Sequence, residues 1–75
     1  MYICYDIFRN NEENPCRTFR CRDGHFKDIY CAVYDYISEK LEQPHEIAAE
    51  ACDWADFACV GETYEMDDFT ITIRD

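Results

Sequence analysis

The sequence predicts a small α+β domain: an antiparallel sheet of three to four strands, covered on one face by two helices, in the order β(β)ααββ. Three observations carry that expectation. Between Phe26 and Val60, apolar residues recur at three- and four-residue spacing, the signature of amphipathic helices. That stretch is broken once, at Gln43-Pro44. On either side of it, residues 1–8 and 62–73 alternate in period two and favour aromatic and β-branched types, as strands do.

Residues 1–8 form the first expected strand, with Met1, Ile3, Tyr5 and Ile7 on the core face and Tyr2, Cys4, Asp6 and Phe8 on the other. Asn10 to Pro15 is turn-forming and charged, hence a loop. Cys16 to Arg22 fits either a short strand pairing back on the first or a basic loop, with a slight preference for the strand. Asp23-Gly24 turns the chain into the first helix, whose first-turn amides the Asp23 carboxylate is placed to cap.

Phe26, Ile29, Tyr30, Val33, Ile37 and Leu41 line one face of that helix. Asp28, Asp35, Glu39 and Glu42 fall opposite, within about 60° of one another on a wheel of 100° per residue. The residue before a proline is pushed away from helical angles, so the helix ends near Gln43. Proline suits position N1, so Pro44 is expected to open the second helix. Its buried face is Ile47, Ala51, Trp54, Ala55 and Ala58, with Ala48 and Cys52 at the edge. Glu46, Glu50 and Asp53 stack on the far side, with Asp56 flanking them and Phe57 among them. Gly61 is the expected left-handed residue closing a helix that reaches about Cys59.

The two strands around Asp67-Asp68 have a register that puts Met66 opposite Phe69 and Tyr64 opposite Ile71, on one apolar face. Aspartate tolerates the left-handed angles of a two-residue hairpin loop. The C-terminal strand is expected beside the first one. Residues 1–75 are a single acidic α+β domain, small enough to bury only about 60–65% of its unfolded surface.

Net charge is −10 and unevenly spread. Residues 1–27 hold five bases against four acids, and residues 28–75 hold thirteen acids against Lys40 and Arg74. Such a field repels nucleic acid and anionic membranes and attracts basic surfaces. No apolar run approaches the roughly 18 residues a membrane span needs. No secretory signal is visible at the N-terminus, so a cytoplasmic location is expected. Disulfides are rare there, and the six cysteines are expected as free thiols.

Chemistry is sparse. Cys16, Cys21, His25 and Cys31 could form a three-cysteine, one-histidine zinc site, although the usual Cys-x2-Cys knuckle is missing. No metal and no cofactor are expected. Ser38 has no base beside it, and Cys21 with His25 is a chance-level pair. With only Gly24 and Gly61, no glycine-rich phosphate cradle is possible. An enzyme is not expected. Arg9, Arg17, Arg20, Arg22 and Lys27, interleaved with Phe19, make a basic patch, but the net charge opposes direct nucleic-acid binding.

A protein-binding module remains. Asp28, Asp35, Glu39, Glu42, Glu46, Glu50, Asp53 and Asp56 present carboxylates about 5–6 Å apart on adjacent turns, comparable with phosphates along a nucleic-acid strand. Phe57 adds an apolar anchor. The expected partner is a basic protein surface, such as that of a nucleic-acid-binding enzyme. Small acidic anti-CRISPR and anti-restriction proteins of phages and mobile elements act in this way, an analogy of size and charge alone. Two alternatives stand beside the inhibitor or decoy. One is an adaptor or oligomerisation domain using a strand edge or the aromatic outer face at Tyr2 and Phe8. The other is a small zinc-binding domain. Both a monomer and a homodimer fit the composition.

Overall fold

The computed structural model describes residues 1–10 and 12–75, in which a four-stranded antiparallel sheet lies against a helical layer. In chain order the elements are β1 (Tyr2–Arg9), β2 (Arg17–Arg22), a 3₁₀ turn (Phe26–Asp28), α1 (Tyr30–Asp35), a π-helical turn (Tyr36–Lys40), α2 (His45–Phe57), β3 (Thr63–Glu65) and β4 (Phe69–Arg74). Asn11, within the expected loop, lies outside the described residues. Among the described residues no helix is long and apolar enough to cross a membrane.

The strand order is β2-β1-β4-β3, so the C-terminal strand does lie beside the first. Cys16 to Arg22, open between strand and loop in the sequence, pairs with β1 as a strand, setting Tyr5 against Phe19. On its other side β1 meets β4, with Tyr5 against Ile73 and Ile7 against Ile71. Period-two alternation thereby sends Ile3, Tyr5, Ile7, Phe19, Cys21, Phe69, Ile71 and Ile73 into one buried layer. Met1, expected in that layer, is instead 81% exposed, because pairing begins only at Tyr2.

The C-terminal hairpin has the expected register, with Tyr64 against Ile71 and the Met66 N–H donating to the Phe69 carbonyl at 2.9 Å. Its loop differs from expectation: neither Asp67 nor Asp68 takes a positive φ. Loops without left-handed residues twist against the strands they join, and β3 pairs over only three residues. The loop is instead tied from outside. Asn10 donates its backbone N–H to the Asp68 carbonyl and its side-chain amide to the Asp67 carbonyl, and Gln43 Nε2 donates to Asp68 Oδ2 at 3.1 Å.

On the outer sheet face, Asp6 is only 5% exposed. Burial alone would raise its pKa. The Arg74 Nε–H and the Thr18 hydroxyl, each donating at 2.6 Å, outweigh that and hold the carboxyl below its usual range. A folded pKa below the unfolded value, about 3.9, adds stability that is present above that value. It is lost as pH falls through the folded value. Asp6→Asn should therefore lower stability at neutral pH and flatten its decline on acidification. Thermal melts of both proteins between neutral and strongly acid pH should converge at the acid end; parallel curves would remove Asp6 from the account.

The first helical stretch buries Phe26, Val33, Ile37 and Leu41, as its spacing requires, with Ile29 and Tyr30 half-buried. It is not one regular helix. A 3₁₀ turn, an α segment and a π turn follow one another, the last shown by the Leu41 N–H donating to the Tyr36 carbonyl. The expected Asp23 cap does not form. Neither the 3₁₀ turn nor α1 has a side-chain cap, and the Asp23 N–H donates to the Met1 carbonyl instead.

Just past the π turn and its cap Leu41, Glu42 has a left-handed φ of 54°. A side chain there meets its own backbone, and glycine is the usual residue at such a helix end. Glu42→Gly should therefore raise stability by about 0.5–1 kcal/mol, a few degrees in melting temperature. A lower melting temperature would show that the Glu42 side chain supports the turn.

Pro44 is the N-cap of α2 rather than N1: its ψ of 159° is extended, and its carbonyl accepts from the Ile47 and Ala48 N–H groups. The buried stripe also differs from the one expected. Ala48, Ala51, Cys52 and Ala55 are fully buried, whereas Ile47, Trp54 and Ala58 are half-buried. Small side chains let α2 approach the preceding helix closely, so that Cys52 Sγ lies 4.0 Å from the Tyr30 carbonyl oxygen. Large ones are displaced to the flanks. The helix stops at Phe57, two residues short of expectation, since Ala58 is already extended. Gly61 (φ 96°) serves the turn into β3, donating its N–H to the Ile73 carbonyl at 2.8 Å.

Candidate partner-binding surface

The acidic positions do not form one continuous row. Glu50, Asp53 and Phe57 come together on one side of α2, where Trp54, Ala58 and Glu62 complete a hollow of about 490 Å³. Phe57 is 86% exposed, more than any other large apolar side chain of the described residues. It is no part of the core. Glu46 is exposed in the first turn of α2.

Elsewhere the carboxylates are diluted by bases or drawn inward. Asp35 and Glu39 share a hollow with Arg17 and Lys40. Glu42 shares another with Arg9, and Asp28 sits 3.7 Å from His25 Nδ1. Asp56 is half-buried, close enough to the Tyr5 and Tyr30 hydroxyls to help push their pKa values up.

Each carboxylate around the Phe57 hollow is held by one protein donor. The Tyr64 hydroxyl donates to Glu50 Oε1 at 3.0 Å, the Tyr30 hydroxyl to Asp53 Oδ1 at 2.9 Å, and the Cys59 N–H to Glu62 Oε1 at 2.6 Å. These bonds keep the protons on the phenols. The bond to Asp53, with some desolvation, pushes Tyr30 up to about 12; burial, then the bond to Glu50, takes Tyr64 to the same value. Among the described residues, none of the three carboxylates is paired with a lysine or arginine. Among the described residues, no hydrogen bond reaches their second oxygens.

The floor is aromatic and continuous with the core. The Trp54 ring lies 5.3 Å from Tyr64, whose ring lies 6.3 Å from the fully buried Phe69. Tilted rings at such separations attract each other beyond the area they bury. Trp54 and Glu62 line the hollow without being marked for it by the sequence. The spacing of Trp54 put it on the apolar face, and Glu62 reaches the hollow from beyond the helix.

A second cleft, between the helices, is lined by Tyr30, Cys31, Tyr34, Asp35, His45 and Ala49. It places a thiol and an imidazole together, but His45 Nδ1 is hydrogen-bonded to the Tyr34 hydroxyl. The pair singled out in the sequence is not assembled: Cys21 is buried in the core and His25 is exposed beside Asp28.

The zinc candidates are scattered. Cys16 Sγ donates to the Ile7 carbonyl at 3.2 Å and accepts the Tyr36 hydroxyl at 3.3 Å, while Cys31 lines the interhelical cleft. No group of three or more His, Cys, Asp or Glu side chains among the described residues could hold a metal ion. All six cysteines are free thiols, and burial pushes Cys21 up and Cys52 up to about 12.

Phe19 is buried, and the basic residues of the N-terminal half are divided among several partners rather than gathered around it. Arg17 lies over the Phe19 ring at 4.7 Å, Arg20 lies over the Tyr2 ring at 4.4 Å, and Arg9 donates to the Lys40 carbonyl. Fold and surface together define a small acidic α+β domain with an exposed aromatic-acidic hollow beside Phe57. No protein-family model, curated protein or solved structure matches the chain.

Proposed function

We propose that this protein is an acidic binding module that occupies a basic, nucleic-acid-binding surface of a partner protein, acting as an inhibitor or decoy. The observation that carries the proposal is Phe57. An exposed phenylalanine flanked by Glu50, Asp53 and Glu62 has no structural use on a merely solvated face. It has one as an apolar contact inside a charged interface, where a few buried aromatics supply most of the binding energy. The surrounding carboxylates supply steering and selectivity for a basic surface.

The adaptor reading has less support. The sheet's edges are β2, which carries three arginines, and β3, which is three residues long. Charged or very short edges discourage strand addition. Tyr2 on the outer face is covered in part by Arg20.

Elution of proteins captured on the immobilised protein separates the two. A decoy's partners are nucleic-acid-binding proteins, released by duplex DNA and by raised salt. Partners that resist both, and are released only by agents that disrupt apolar contacts, would replace the decoy with an adaptor.

A further inference from the structure

The geometry points to a specific occupant for the hollow: we propose that it receives an arginine side chain of the partner, with the guanidinium against the Trp54 and Phe57 rings and its N–H groups donating to Glu50, Asp53 and Glu62. This inference rests on the acidic-module reading and narrows it to one side chain.

Three features select that ligand. The hollow is lined by two aromatic rings and three carboxylates, and among the described residues no lysine or arginine pairs with those carboxylates. Aromatic faces and carboxylates both favour a cation, and the rings favour one that sheds water readily. Each carboxylate is fixed through one oxygen by Tyr64, Tyr30 or the Cys59 N–H, which leaves the other oxygen for an incoming donor. Trp54 is backed by Tyr64, which in turn packs on Phe69, so the platform is set before a ligand arrives.

Arginine fits these features better than lysine. Its guanidinium is planar and weakly hydrated, stacks on rings, and offers five donors in a fixed fork; an ammonium is compact and strongly hydrated. Basic grooves that hold phosphates are rich in arginine for the same reasons.

Trp54 is the single tryptophan of the chain, so its emission reports on this hollow alone. The experiment titrates the full-length protein with hexa-arginine, hexa-lysine and hexa-citrulline, the last a neutral analogue of the first. Calorimetry reads binding and Trp54 fluorescence reads its place.

The expected result is saturable binding of hexa-arginine about fivefold tighter than hexa-lysine, a change in Trp54 emission with the same midpoint, and no binding of hexa-citrulline. Phe57→Leu keeps apolar area but removes the ring face, and should bring the arginine and lysine affinities together. The exposure of Phe57 makes that variant safe for folding.

Equal binding of the two cationic peptides with unchanged Trp54 emission would overturn the arginine site and leave the acidic surface standing. Absence of binding by either cationic peptide would overturn both.

Discussion

Phe69→Ala is expected to cost about 3–5 kcal/mol of folding stability, whereas Phe57→Ala, twelve positions earlier, should change it by no more than about 0.5 kcal/mol. Phe69 is fully buried at the start of β4, against Arg9 of the central strand and beside the Tyr64 ring. Removing its ring leaves a cavity in a layer whose strands cannot close over it without losing register. Total stability of small domains is about 5–15 kcal/mol, so the loss is a large fraction of the whole. Phe57 lies at the last position of α2 with 86% of its surface exposed, and its removal opens no cavity. Denaturant titration of both variants measures the contrast. A loss above about 2 kcal/mol for Phe57→Ala would mean that Phe57 folds back on the domain in solution, and the partner surface would lose its anchor.

The same pair of residues shows what the chain makes legible. Phe69 belongs to an alternation whose other members are also apolar, and a one-residue slip would turn all of them outward, so strand and register are both over-determined. Phe57 stands out because Asp53 and Glu50, four and seven positions before it on the same helical face, are acidic. The gross fold follows from these two kinds of contrast.

What sequence did not show has physical causes. Apolar spacing does not distinguish hydrogen bonds to the third, fourth or fifth residue, so the division of the first helical stretch into 3₁₀, α and π segments was hidden. The apolar area at stake favours burying Trp54 over Ala48. Close approach of two helices ranks them the other way, because only small side chains fit there. The acidic row is continuous only on an isolated helical wheel. Folding brings Arg17 and Arg9 to its N-terminal portion, where Lys40 already lies, and Glu62 to its C-terminal end. The hollow beside Phe57, unlike the two that hold those bases, has no lysine or arginine in its lining.

Neutralising that part should weaken binding to a basic probe by about tenfold or more at low salt. The variant is Glu46→Gln, Glu50→Gln and Asp53→Asn together. Its fold should persist, because exposed charges contribute little to stability. The side-chain amides introduced at positions 50 and 53 also retain a carbonyl oxygen to accept the Tyr64 and Tyr30 hydroxyls that Glu50 and Asp53 now accept. Three charges fewer lower the attraction felt at a distance, so the association rate falls more than the dissociation rate rises, and the salt dependence becomes shallower. Phe57→Ala should do the opposite, raising the dissociation rate at nearly unchanged association, since it removes contact rather than steering. Stopped-flow kinetics with hexa-arginine at several salt concentrations separates the two effects. An internal control comes from the phenols. With Asp53 uncharged, its repulsion of the Tyr30 phenolate is gone and a neutral amide holds the phenol less tightly than a carboxylate, so the Tyr30 pKa falls from about 12 part of the way toward the ordinary value of 10.0. Spectrophotometric titration reads that shift without any ligand. A triple variant that is folded and shows the tyrosine shift, yet binds hexa-arginine with unchanged rate and salt slope, would remove the carboxylates of α2 from the partner surface.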